Sequence, residues 1–303
     1  GGGGGAKGGG ALYSLRARCL SSEGPLRYAD WALRVNRELK ARSGGRVGYV
    51  HLPEMTAWSF GNFSRQWGVE GCLRDAVVLD VRGNVGGYAS EALLEKIAKD
   101  VLTYEHRRFG RPERLPVGAP AKRVVLITDE NTCSDGDVVA YAFRSLGLGV
   151  VVGTRTWGGT CTFEGAHELP DGTELSLPSA VTVSRFNGDS SQVDHSFVRA
   201  DTDAEVAAAR PVIENEGVAP HVAVEIPPRL GFAARVGLGL GLDRDPQLRV
   251  AFQIARLGAD AYAALTEHVG LGRGPAGLEP KEPASVNSLI HILPELEASA
   301  YLW

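Results

Sequence analysis

The sequence predicts an α/β protein with a mostly parallel sheet covered by helices on both faces. Three observations carry this expectation. Asp75–Val81 (DAVVLDV), Arg123–Thr128 (RVVLIT) and Val150–Gly153 are continuous apolar runs of strand length, the pattern of strands buried on both sides. Amphipathic helical stretches separate them, as crossovers between parallel strands require. Glycines punctuate the ends of the runs, where turns need them.

Residues Gly1–Gly10 are almost all glycine, a low-complexity lead with nothing to bury. Ala11–Arg18 is a short strand-like piece without a partner nearby in sequence, and it reads as the end of something upstream. The chain begins with glycine rather than methionine, which fits part of a longer product. Pro25–Arg42 forms a helix with Tyr28, Trp31, Ala32, Val35 and Leu39 on one face, Pro25 in its first turn and Ser43-Gly44-Gly45 as its stop. Val47–Leu52 is a strand ended by Pro53, and a short helix follows around Trp58–Trp67.

After Asp75–Val81 comes the turn Gly83-Asn84-Val85-Gly86-Gly87, then a helix over about Ala89–Thr103 with Leu93, Leu94, Ile97 and Val101 in a stripe. After Arg123–Thr128 comes a helix from Ser134 to Leu146, stopped by Gly147. Leu169-Pro170-Asp171-Gly172-Thr173 is a hairpin turn. Asn187–Arg210 reads as a surface insertion. Asp245-Pro246 opens a long last helix carrying Val250, Ile254, Leu257, Ala261 and Leu265 on one face, and Pro275–Ser285 is a linker before an apolar tail. The expected organisation is a lead over 1–10, the end of a preceding domain plus a connecting helix over 11–45, a core over 46–228, and a C-terminal helix and tail over 229–303.

Composition narrows the function classes. With 303 residues, 44% hydrophobic and 22% charged, the chain is ordinary globular material. A net charge of −4 leaves no basic footprint for nucleic acid or an acidic membrane surface. Arg107, Arg108, Arg111 and Arg114 read as a solvated loop. Cys19, Cys72, Cys133 and Cys161 lie far apart with no CxxC pair and no metal-ligand spacing, as expected of reduced thiols. There is no signal-like or membrane-spanning run, so the expected location is cytoplasmic.

The chemistry gathers beyond the C-terminal ends of the predicted strands, where parallel sheets place ligands. Ser134, in Asn131-Thr132-Cys133-Ser134-Asp135-Gly136, stands at a helix start, where free N–H groups and the dipole favour a developing oxyanion. Taken alone, the same residues fit a plain helix cap, and Gly86-Gly87 fits a plain tight turn.

The combined run separates these alternatives. DVRGNVGGYAS from Asp80, LITDENTCSDGDVV from Leu126, GTRTWGG from Gly153, LPDGTELSLP from Leu169 and VIENEGVAPHVAVE from Val212, with GYVHLPEM from Gly48, resemble the catalytic C-terminal region of the tricorn-type serine peptidases. The resemblance covers residues 24–228 and the helix start at Asp245. It implies a crotonase/Clp-like ββα superhelix, with residues 11–45 ending a PDZ-like domain. It also implies roles: Ser134 as nucleophile, the N–H groups of Gly87 and Asp135 as the oxyanion hole, and Glu214 as the carboxylate that supports a histidine. Glu105 falls where the family carries an acidic residue selecting basic side chains at P1; the plain alternative is a helix-end carboxylate pairing with Arg107 or Arg108. Peptide substrates and a homo-oligomer are implied, and no cofactor or metal.

One part of the family pattern is not found in this sequence. The family's base is a histidine in a Ser-His pair that precedes the PDZ domain. His51, His106, His167, His195, His221, His268 and His291 do not occupy that position; His51 reads as structural, and so does His221, although it follows Glu214 closely. The related carboxy-terminal-processing peptidases use a lysine, and Gly159 stands there instead. The expectation is therefore a serine peptidase whose histidine comes from an upstream segment, against a non-catalytic binding module of the same fold. An acyl-CoA enzyme of the crotonase type shares the fold but not these motifs.

Overall fold

The structure, a computed structural model, describes residues 19–110, 112–120, 123–182, 213–228, 230, 240–271 and 283–289. Six strands form a parallel sheet: β1 (Val47–His51), β2 (Ala76–Asp80), β5 (Arg123–Thr128), β6 (Gly149–Gly153), β9 (Val222–Ala223) and β10 (Ala284–Ser285), side by side in that order. Register runs Val47 against Ala76, Ala76 against Arg123 and Val124 against Gly149. Every residue of β2 and β6 is buried, which is why these runs read as continuous apolar stretches rather than alternating ones.

Alternate side chains feed two cores. Tyr49, Val78, Val125, Ile127 and Val152 pack under helix α1 (Gly24–Ser43) and helix α5 (Pro246–Arg256). Val50, Val77, Leu79, Leu126 and Val151 pack under α2 (Ala57–Gln66), α3 (Ser90–Ile97) and α4 (Asp135–Ser145). A π-helical turn over Trp67–Gly71 extends α2. Two hairpins stand off the sheet, β3 (Thr103–Glu105) with β4 (Glu113–Leu115), and β7 (Thr162–Glu168) with β8 (Glu174–Ala180). The predicted α/β class holds, as does the turn at Leu169–Thr173, where the Leu169 N–H donates to the Thr173 carbonyl at 2.8 Å.

Two predicted helices are shorter than expected. The one over Ala89–Thr103 ends at Ile97, because Thr103–Glu105 takes its backbone hydrogen bonds from Glu113–Leu115. The last long helix is two, α5 and α6 (Ala259–His268), broken where Leu257 turns extended at ψ 146° before Gly258, a poor helix former. α5 is buried nearly all round rather than on one stripe. β10 lies within the predicted linker; two residues are too few for a periodic signal. Ala11–Arg18 and Asn187–Arg210 lie outside the described residues.

A buried ion network ties α5 to the sheet. Arg82 donates to Asp80 at 2.6 Å and to Asp245 at 2.8 Å, and the Tyr49 hydroxyl donates to Asp80 at 2.9 Å. Asp245 also accepts from the Leu248 N–H at 3.0 Å, capping α5. Desolvation alone would raise the Asp80 carboxyl, but the Arg82 guanidinium beside it leaves it below its ordinary value.

Candidate active site

The exits of β1, β2, β5 and β6 meet on one edge, and Asn84 locks three of them together. It is fully buried. Its Nδ2 donates to the Leu52 carbonyl at 2.7 Å, its Oδ1 accepts from the Gly86 N–H at 2.9 Å, and its carbonyl accepts from the Cys133 N–H at 2.9 Å. Beyond it, the Met55 N–H donates to the Gly86 carbonyl and the Tyr88 N–H to the Met55 carbonyl, both at 2.7 Å. This bridge uses the residues on either side of Gly87, so the Gly87 N–H faces away from Met55. Only glycine fits here. A Cβ on Gly87 would stand 2.1 Å from the Met55 carbonyl oxygen, and one on Gly86 2.5 Å from the Ser134 Cβ.

Ser134 occupies the N-cap position of α4 but does not cap it. Its backbone sits at φ 56° and ψ −120°, and its side chain makes no capping bond. A capping serine holds extended backbone and accepts an N–H of the first turn; this conformation is strained for a residue with a Cβ. Asp135 fixes the turn from the other side, its carboxylate accepting from the Ser90 N–H at 2.8 Å. Among the described residues, the N–H groups of Gly87 and Asp135 have no hydrogen-bond acceptor.

The helix is then clamped to the strand-exit segment after β6. Asp137 is fully buried and accepts from the Gly158 N–H at 2.9 Å and the Gly159 N–H at 3.2 Å. Burial raises its carboxyl above the ordinary value, against the pull of Thr156, Gly158 and Gly159. The Trp157 N–H donates to the Thr132 carbonyl at 2.9 Å. The far end of the same segment holds Glu214, which accepts from the Thr160 N–H at 2.6 Å and the Thr160 hydroxyl at 3.1 Å. Ser134 and Glu214 are thereby linked through Asp137 and the residues 156–160.

The structure does not bring Glu105 into this bonded set. It lies exposed on β3, not at a helix end, with Arg107 at 3.6 Å, and Arg107 in turn binds Glu113 at 2.7 Å. His51 is structural as predicted: its ring contacts the Tyr28 hydroxyl at 3.0 Å and the Arg82 carbonyl at 3.1 Å. His221 is buried in the sheet rather than lying in an open loop, its Nδ1 accepting from the Val151 N–H at 2.9 Å. Burial lowers its pKa to about 3. None of the described histidines is hydrogen-bonded to Ser134; His195 and His291 lie outside the described residues. Asn84, Asp137 and Thr160 were missed by the sequence reading. Asp137 had a signal, an acidic residue one turn after Ser134 on what had to be a buried helix face.

Comparison with known proteins decides the family. The model of peptidase family S41 matches residues 46–206, more than half of the chain and the whole stretch from β1 through Ser134 to the second hairpin. The chain belongs to peptidase family S41. Within it, the chain is similar to the tricorn protease of Thermoplasma volcanium, 31% identical over 80% of this chain and 20% of that one. It is 39% identical to the tricorn protease homolog 1 of Streptomyces coelicolor over 56% of this chain and 16% of that one. The crystal structure of the tricorn protease superposes with a TM-score of 0.59 at 29% identity, covering 80% of this chain and 20% of that chain. This S41 chain thus spans a fifth or less of the length of these relatives. Its sheet and helices have the Clp and crotonase type of fold. Among the described residues, no helix is long and apolar enough to cross a membrane.

Proposed function

We propose that this S41 chain carries the nucleophile half of a tricorn-type serine peptidase. Ser134 Oγ attacks the scissile carbonyl while a base takes its proton. The charge on the carbonyl oxygen is met by the N–H groups of Gly87 and Asp135. The base then protonates the leaving amine, and water hydrolyses the ester left on Ser134. The observation that carries this reading is the Ser134 backbone, strained at φ 56° with its side chain released from capping. Backbone strain of this kind persists where the surroundings over-determine it, and it collects at active sites.

Glu214 is the carboxylate that orients the base, a histidine supplied by an upstream segment. Glu105 selects basic side chains at P1. Peptides are the substrates, and the working form is a cytoplasmic homo-oligomer, in keeping with the tricorn resemblance. The non-catalytic binding module is favoured by one observation, the commitment of His51 and His221 to other partners. Peptide anilides cleaved after Arg or Lys distinguish the two readings. In an assay that includes the upstream segment supplying the histidine, turnover with an acyl adduct on Ser134, abolished in Ser134→Ala, is expected. A folded protein that binds such peptides and never acylates is the binding module.

A further inference from the structure

The surface around Ser134 carries bulky apolar side chains that the fold does not bury. Tyr88 follows the amide-bearing Gly87 and is 93% exposed, and Val85, on the other side of Gly86, is 68% exposed. Trp157 is 65% exposed although its own backbone is bonded to Thr132, two residues from Ser134. Its indole lies across Gly159, where a Cβ would stand 2.3 Å from the ring. Trp58 is 73% exposed in the first turn of α2, three residues past Met55, the residue bridged to Gly87. Isolated exposed apolar residues are ordinary. Four of them lie on the segments that frame one strained serine, which is more than isolated exposure accounts for.

We propose that Val85, Tyr88, Trp157 and Trp58 form the peptide-binding face of the site, which takes a peptide with large apolar side chains next to the scissile bond. This rests on the reading of Ser134 as a peptidase nucleophile, because the occupant follows from continuity with that serine. A chain whose carbonyl sits between Gly87 and Asp135 lies beside the loop that carries Val85 and Tyr88, and Trp157 stands on the neighbouring segment after β6. Aromatic side chains give up little rotamer freedom on binding and bury a large area, so they dominate such surfaces. Glu105 stands on a separate hairpin, so selection of apolar residues here and of a basic P1 residue there do not compete.

The test uses the full chain as Ser134→Ala, so that no turnover occurs, and two fluorescent peptides read by anisotropy. Both contain one Arg; one has Phe or Leu on either side of the Arg and its following bond, the other Ala. The apolar peptide is expected to bind roughly tenfold more tightly. Trp157→Ala or Tyr88→Ala should remove most of that advantage and leave the Ala peptide unchanged. Phe109→Ala, at a residue 84% exposed on the first hairpin, should change neither. Equal affinities, no binding of either peptide, an advantage surviving both substitutions, or an equal loss in Phe109→Ala would each overturn the proposal. All three side chains are exposed, and unchanged thermal unfolding verifies that the variants fold. Serine acylation in the unsubstituted chain tests the peptidase reading separately: apolar preference without acylation removes the catalysis and keeps the binding face.

Discussion

Gly86 lies against Ser134 so closely that a Cβ on Gly86 would stand 2.5 Å from the Ser134 Cβ and 2.8 Å from its Oγ. The glycine loop after β2 and the turn after β5 are therefore one unit, held from behind by Asn84. Gly86→Ala has two penalties, the clash and a φ of 88°, the second alone about 1–2 kcal/mol. The expected outcome is a folded but destabilised protein with strongly reduced reactivity at Ser134, read by denaturant unfolding alongside mass spectrometry of acylated protein. Unchanged reactivity would separate the two loops.

Asp137 joins α4 to residues 156–160. Asp137→Ala leaves the N–H groups of buried Gly158 and half-buried Gly159 without their acceptor, costing about 1–3 kcal/mol for the buried one and less for the other. Urea unfolding should show this loss, and peptide turnover should fall along with it, because Glu214 is held at the other end of the segment. A variant as stable as the parent would show that the clamp is not needed.

Glu214→Gln keeps an oxygen for the Thr160 donors but removes the charge. Stability should change by less than about 1 kcal/mol, while kcat/KM falls by roughly 10²-fold or more. A large drop in melting temperature with activity intact would assign Glu214 to structure alone.

His221 sets a pH dependence. Folded, it protonates only near about 3, whereas its ordinary value is 6.5. As pH falls below 6.5 the unfolded chain takes up the proton and the folded chain does not. Stability therefore declines with falling pH, by at most about 1.4 kcal/mol per unit from this group. His51, lowered by burial as well, adds in the same direction. His221→Asn, with an oxygen for the Val151 N–H, should flatten the slope of urea stability between pH 6.5 and 4.5. An unaltered slope would show that His221 does not titrate as described.

Much of this was legible in the sequence because burial on both faces writes a strand as an unbroken apolar run. Ala76–Asp80, Arg123–Thr128 and Gly149–Gly153 are such strands, and the residues of chemical interest follow their ends. Ser134 was locally ambiguous, since cap and nucleophile use the same residue type at the same place; the combined run of motifs pointed to the nucleophile, and the backbone angles show a side chain that does not cap α4. Asp137 and Thr160 stayed hidden because their bonds run to main-chain N–H groups and to Glu214, far apart in sequence and invisible to local patterns. Glu105 was placed at a helix end because a stripe through Val101 continues the period of α3, and pairing with Glu113–Leu115 overrides it.

The central proposal is that Ser134 is a reactive serine whose developing oxyanion is met by the N–H groups of Gly87 and Asp135. Fluorophosphonate labelling of the folded chain together with the upstream segment that supplies its histidine, with the adduct located by mass spectrometry, tests it most directly. The account predicts one adduct, on Ser134, absent from Ser134→Ala and strongly reduced in Gly86→Ala. A folded chain that gives no adduct on Ser134, or labels equally in Ser134→Ala, contradicts it.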